Sequence, residues 1–328
     1  MTELEHIEAA QGLGAPAYSY STYGMQVVSD IELPELASVV PGSVAEPRSL
    51  RIRRAPVELP ENARSFPTWY EFGTTETRFY WQTVGAFSVN LDGTEILCEP
   101  AESVSDDLIA FPLLGPILFE ALRRQGHFVL HASAVALGGQ AVVLMADKGT
   151  GKSTSAAALL NAGGKLLADD LVAFTPDGEV LSGFGQVKLS DAALEAHRPQ
   201  KSVARGDVHA AIDKKRVQLP RDATAEYAAP AVRLYILERG EGEMASTADV
   251  AANQSLPAIL RFSYGVRFGE NLLSGEPANR HFRDAVSLAG RVKVRILRLP
   301  ATLDAMTTLA DAIRADLNTD RAMTGDED

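Results

Sequence analysis

Cysteine is almost missing from this chain of 328 residues, with Cys98 the single example. One thiol excludes an intramolecular disulfide framework and fits a reducing, cytoplasmic setting. No histidine stands near it in sequence, so Cys98 reads as a small core hydrophobe and not a nucleophile. No run of about eighteen apolar residues occurs, which leaves no candidate membrane span. The opening Met-Thr-Glu-Leu-Glu-His is acidic and has no apolar signal core. Positive charge is in deficit: 31 basic residues face 43 acidic ones, for a net charge of -12. Such a surface does not favour nucleic acid or anionic membrane as partners. Internal repeats and low-complexity tracts are also absent. What is present is 46% hydrophobic and 23% charged residues, enough for one large or two ordinary globular domains.

The most informative stretch is Gln140–Ser153. An apolar run, Ala141 to Met145, enters a short loop, Ala146 to Gly151, and a helical segment follows from Lys152 to Asn161. The loop ends Gly149-Thr150-Gly151-Lys152-Ser153, the tail of a Walker A phosphate loop in its required strand–loop–helix context. Gly149 and Gly151 permit positive φ and close backbone approach, so that successive N–H groups can face phosphate oxygens at a helix N-terminus. Asp147, Lys148, Gly149, Thr150, Gly151, Lys152, Ser153 and Thr154 are therefore the expected nucleotide contacts. Lys152 is expected at the phosphates and the Ser153 hydroxyl at Mg²⁺. Ala146 departs from the strict pattern, in which a glycine is usual at that position.

Before this loop, residues 17–29 read as a strand kinked at Gly24, and residues 1–15 as loose. Short strands follow at Leu50–Arg53, Trp69–Phe72, Thr77–Gln82 and Ala86–Leu91, with Asp92-Gly93 turning the chain into Thr94–Glu99. The tyrosines here read as strand packing. Residues 105–125 look helical, with Ser105 as N-cap, breaks at Pro112 and Pro116, and a stop at Gly126. Phe128–Leu137 reads as one strand carrying His131, Gly138-Gly139 as a tight turn, and Lys165–Phe174 as one strand carrying Asp169 and Asp170. A last strand, Val292–Leu299, and a last helix, Leu303–Leu317, follow. The fold class is α/β with a mixed sheet, divided as a β-rich N-terminal recognition domain (1–102), a nucleotide-binding domain (103–317) and a disordered acidic tail (318–328).

Asp169-Asp170 follows the apolar Leu166-Leu167-Ala168 on the strand after the loop helix, where open α/β sheets present ligands. Paired carboxylates suit two tasks, holding Mg²⁺ and accepting the proton of an attacking hydroxyl. Adjacent strand residues point to opposite faces, so both can serve only if the strand ends or bulges there. His131 reads either as a core histidine or as a group that tunes the base.

The order His131, Gly-Thr-Gly-Lys-Ser-Thr, Leu-Leu-Ala-Asp-Asp resembles the catalytic domain of bacterial HPr kinase/phosphorylase, over roughly residues 127–175. Phosphoenolpyruvate carboxykinase shares that type of core. The opening Tyr-Ser-Thr-Tyr-Gly-Met-Gln-Val-Val-Ser-Asp-Ile-Glu-Leu-Pro-Glu-Leu is similar to HPr-kinase-like proteins that accompany peptide-modifying enzymes, including lasso-peptide kinases. The resemblance implies ATP and Mg²⁺, Asp169 as general base, His131 as its support, Lys152 on the phosphates, and Ser153 with Asp170 on the metal. The family's Leu-Glu-x-Arg-Gly-Leu-Gly signature has no counterpart; Gly183–Leu189 stands there instead, which argues against phosphorylase activity and against HPr as substrate. Lys188, Lys215 or Arg216 are candidates for the cation facing the transferred phosphoryl group.

The expected function is transfer of the γ-phosphoryl group from ATP to a serine of a peptide or small protein. A small-molecule kinase or carboxykinase-like enzyme and a non-catalytic nucleotide-binding regulator are the alternatives. A homo-oligomeric state stays open.

Overall fold

The protein is described by a computed structural model covering residues 18–38, 48–209 and 212–324. The loose segment expected at 1–15 lies outside these residues. The first eight described strands are β1 (Tyr18–Thr22), β2 (Met25–Ser29), β3 (Ala37–Ser38), β4 (Arg48–Arg54), β5 (Thr68–Phe72), β6 (Glu76–Trp81), β7 (Gly85–Asn90) and β8 (Glu95–Pro100). They form one mixed sheet in the order β3-β1-β2-β4-β8-β7-β6-β5. The segment expected as one kinked strand over 17–29 is thus two strands within its described residues, 18–29. Tyr23 and Gly24, at φ 50° and 70°, form a two-residue turn between partners Thr22 and Met25. Two consecutive positive φ values match the twist of antiparallel strands.

Ser105 caps α1 (Asp106–Pro112), its hydroxyl accepting from the Leu108 N–H at 3.4 Å. The chain kinks at Gly115 before Pro116 and continues as α2 (Leu118–Arg124). Both helices bury apolar faces, and Ile109, Leu113, Phe119 and Leu122 share one core with Phe79, Phe87 and Ile96 of the first sheet. Glu120, fully buried, anchors α2 to that sheet. Its carboxylate accepts from Thr77 Oγ1 at 2.6 Å and from Arg123 and Arg124 at 2.7 Å. Arg124 continues to the Gly73 carbonyl at 2.9 Å. Removing one partner of a buried charged network strands the others. Glu120→Ala is therefore expected to cost about 3–5 kcal/mol of stability, read as a lower urea midpoint.

The second sheet holds β9 (Phe128–Leu130), β10 (Ala132–Leu137), β11 (Gln140–Met145), β12 (Lys165–Asp169), β13 (Val172–Phe174), β14 (Glu179–Val180), β18 (Ala229–Arg239), β19 (Ser246–Asp249) and β20 (Lys293–Leu299). Its main order is β12-β10-β11-β18-β14-β13-β9, with β20 beside β18 and β19 beside β20. The two expected long strands are each broken, at His131 and at Asp170-Leu171. The reason is topological. β10 pairs with β12, and β9 pairs with β13, yet β10 and β12 lie at the opposite end of the order from β9 and β13. The sheet curls until its ends meet, and both chains must change partners at the seam. Asp170 makes the change at φ 70°.

The helix after the loop, α3 (Lys152–Asn161), packs on β10, β11 and β12. A smaller sheet of β15 (Gln186–Leu189), β17 (Ile212–Gln218) and β16 (Val203–His209) packs against α3 through Val187, Leu189, Val217, Ala157 and Leu160. α4 (Asp191–His197) lies between β15 and β16, and α5 (Ala252–Arg261) and α6 (Gly275–Arg291) between β19 and β20. The last helix, α7, runs Leu309–Thr324, so residues 318–324 are helical where disorder was expected. Polar composition does not stop a helix already nucleated by a packed segment. Ile313 is fully buried and Thr319 Oγ1 bonds back to the Ala315 carbonyl at 2.9 Å. Among the described residues, no helix is long and apolar enough to cross a membrane.

Candidate functional site

The site forms where the loop between β11 and α3 meets the seam of the curled sheet. β11 delivers the chain into Ala146, which does not adopt a positive φ, while Gly149 and Gly151 do, at 85° and 123°. The missing first glycine is thus at a position that never needed left-handed backbone. No neighbour lies within 4 Å of a Cβ built on Gly149, so backbone conformation and not crowding explains glycine there. Lys152 is buried and its Nζ donates to the Ala146 carbonyl at 2.7 Å, spanning the loop. Burial pushes the ammonium pKa down, opposed by the charges of Asp170 and Asp169. The loop is braced from outside by Arg239, which donates to the Gly149 carbonyl at 2.9 Å, and by the exposed Arg261–Asp147 ion pair at 2.6 Å. Lys148 is exposed.

Asp169 ends β12 and is buried beneath the loop. Its Oδ1 accepts from Ser133 Oγ at 2.5 Å and Ser153 Oγ at 3.2 Å, and its Oδ2 from the Lys188 N–H at 3.1 Å. Burial first, and the neighbouring Asp170 charge second, raise its carboxyl above the usual range. Asp170 stands just past the strand end, so the pair escapes the opposite-face rule. Its side chain is 32% exposed. Oδ2 accepts from Lys188 Nζ at 2.5 Å, and Oδ1 lies 3.7 Å from His131 Nε2. Burial disfavours the charged form of Asp170, but the Lys188 ammonium and His131 outweigh it and hold the carboxyl well below the usual carboxylate range. For Lys188, burial is likewise outweighed by the Asp170 charge, and its pKa rises.

The structure brings together Lys152, Ser153, Asp169, Asp170, His131 and Lys188. It pairs them differently from the sequence reading: His131 supports Asp170, and Ser153 sits with Asp169. Lys215 and Arg216 do not join them. Lys215 pairs with Asp191 at 2.7 Å, and Arg216 with Glu35 at 3.0 Å and Asp107 at 3.7 Å. Strand alternation turns Lys215 to the opposite face from Lys188, whereas Arg216, the register partner of Lys188, shares its face and is held away by Glu35 and Asp107. Lys214, which precedes Lys215 and Arg216 in the same basic cluster, alternates onto the face of Lys188. Ser133 was also missed; its only signal is a polar residue inside the apolar strand Ala132–Leu137. Tyr264 approaches His131 edge-on at 6.2 Å and carries Arg267 over its ring at 3.8 Å. The Cys98 thiol is buried and pushed up to about 12 by that burial, far from nucleophilic use.

On the opposite side of the loop opens a cleft of about 520 Å³. Gly149, Gly151 and Thr154 line it together with Arg239, Leu299 and Met306. Among the described residues, no group of three or more His, Cys, Asp or Glu side chains could hold a metal ion by itself.

No protein-family model matches the sequence, and no curated protein does. Among solved structures, the chain is similar to the HPr(Ser) kinase/phosphatase from Coxiella burnetii, at 11% identity and a TM-score of 0.30, over 59% of this chain and 98% of that one.

Proposed function

We propose that this chain is an ATP- and Mg²⁺-dependent phosphotransferase that moves the γ-phosphoryl group to a serine hydroxyl of a peptide or small protein. The observation that carries the reading is the convergence of the glycine loop with two carboxylates in different surroundings. One is buried against the Ser153 hydroxyl, and the other is open beside His131 and Lys188. The chain fits the nucleotide and its metal. Gly149 and Gly151 leave backbone N–H groups free to face phosphates at the N-terminus of α3. The 520 Å³ cleft beside the loop has room for a nucleoside and a mixed lining, with Leu299, Leu303 and Met306 to meet a base and Thr154, Ser190 and Arg239 as polar groups. Mg²⁺ is held in such sites by one or two carboxylates plus phosphate oxygens. Ser153 and Asp169, 3.2 Å apart, would supply that share.

Lys152 would hold the phosphates in line and neutralise their charge. Bound Mg²⁺ supplies further charge stabilisation. Asp170 would take the proton of the acceptor hydroxyl, because it is the exposed member of the pair. Asp169 has its oxygens occupied by Ser133, Ser153 and the Lys188 N–H. His131 orients Asp170, and Lys188 keeps it ionised. A binding-only regulator has no use for the second, open carboxylate. Incubating the protein with ATP, Mg²⁺ and pools of serine peptides or of metabolites tests the acceptor class by mass gain. Phosphate gain on metabolites alone would contradict the peptide acceptor.

The Asp170–Lys188 pair makes a pH prediction. A carboxyl held below its usual range stays ionised until pH falls through that lower value, and its stabilising contribution persists as long. Lys188→Gln removes the ammonium but keeps the backbone bond to Asp169. With the Lys188 charge gone, burial is opposed by His131 alone and the Asp170 carboxyl rises from its wild-type value. The acid limb of the kcat/KM profile is expected to move to higher pH; an unmoved limb would count against Asp170 as base.

A further inference from the structure

Hairpin tips are ordinarily exposed, yet Tyr23 in the β1–β2 turn is only 2% accessible, while Gly24 beside it is exposed. The tip is driven into the seam of the second sheet. The Tyr23 N–H donates to the Ser182 carbonyl at 2.7 Å, and its hydroxyl donates to the Leu171 carbonyl at 2.7 Å. Phe184 meets the ring edge-on at 6.5 Å. Gly183 lies so close that a Cβ there would meet the ring at 2.8 Å. Gly183 in turn donates to the Leu167 carbonyl at 2.7 Å, on β12. Tyr23 is thus clamped across the break between β12 and β13.

Leu171 is the residue after Asp170, and Asp170 sits at φ 70°. A non-glycine residue in that region is strained and persists only when its surroundings over-determine it. The Leu171 carbonyl is the anchor on the far side of this strained residue. Burial raises the Tyr23 phenol above its ordinary value, so the hydroxyl remains a neutral donor throughout the working pH range.

We infer that Tyr23 is a positioning residue for Asp170. By holding the Leu171 carbonyl, it fixes the carboxylate against His131 and Lys188, and so gives the N-terminal sheet a part in phosphoryl transfer. The inference rests on Asp170 as the base. It assigns Tyr23 no contact with either substrate.

Tyr23→Phe keeps the ring and removes the anchor. It is expected to lower kcat about 10- to 100-fold, with the KM for nucleotide within about twofold. Deuterium uptake across residues 169–172 should rise. Tyr20→Phe is the control: it removes, from another buried tyrosine, a hydroxyl that accepts from the Leu33 N–H at 2.8 Å, and it should leave kcat and that uptake unchanged. Gly183→Ala, which displaces the ring, should repeat the Tyr23→Phe loss and serves if Tyr23→Phe does not fold. Unchanged uptake in the Tyr23 and Gly183 variants overturns the inference. Raised uptake with unchanged kcat overturns it as well, and so do equal kcat losses in Tyr20→Phe. A wild-type protein that transfers no phosphate contradicts the proposed function instead, and uptake alone then decides whether Tyr23 holds the Asp170 turn.

Discussion

Asp170→Asn is expected to slow phosphoryl transfer about 10³-fold, within the range general base catalysis supplies, while nucleotide affinity stays within about twofold. Asparagine is the right substitution because it tolerates the left-handed backbone that Asp170 occupies at φ 70°. The fold of the turn is therefore kept and the proton acceptor lost. Asp169→Asn should also slow transfer, by a different route. It weakens the Ser153 side of the site, so its defect should be relieved in part by raised Mg²⁺. Steady-state kinetics across a Mg²⁺ series separates the two. A full-rate Asp170→Asn enzyme, or one rescued by Mg²⁺ as Asp169→Asn is, would return the base assignment to Asp169.

Lys152→Ala is expected to reduce both affinity for Mg²⁺–ATP, about 10- to 100-fold, and transfer, by about 10³-fold or more. The side chain is buried and its ammonium spans the loop to the Ala146 carbonyl. Removing it takes a buried cation from beneath the loop and unties the loop's first residue. Lys152→Met, which keeps the apolar stem, should restore stability but not binding. Calorimetric titration of each variant with Mg²⁺–ATP reads this directly. Binding unchanged in Lys152→Ala would mean that the loop does not cradle phosphate.

Much of the site is legible in the sequence because its parts are local. The strand–loop–helix order fixes Gly149 to Ser153 relative to β11 and α3. Asp169 follows on the next strand by chain continuity. What sequence did not show are the consequences of the curled sheet. Phe128–Leu137 and Lys165–Phe174 are apolar runs with no glycine or proline to mark a break. Their interruption at His131 and Asp170 comes from partners that sit at opposite ends of the strand order. That interruption decides which carboxylate faces His131. Lys214-Lys215-Arg216 reads as one basic cluster, but a strand sends successive residues to opposite faces, and ion pairs with Asp191, Glu35 and Asp107 claim two of the three. Tyr23 was hidden for another reason: a turn of two positive φ values ordinarily announces itself with Asn-Gly or Asp-Gly, and here a tyrosine opens it. The rotation of the N-terminal hairpin into the second sheet is a long-range contact that no local pattern encodes.

The central claim is that the glycine loop, the buried Asp169 and the open Asp170 form one phosphoryl-transfer site. A single-turnover experiment with γ-labelled ATP, Mg²⁺ and serine peptides drawn from the mass-gain screen tests it most directly. The expected result is label on the peptide's serine, none on the enzyme, and loss of that transfer in Asp170→Asn with ATP still bound. Label that stays in bound ATP, or leaves only as free phosphate, while every acceptor remains unmodified would contradict it.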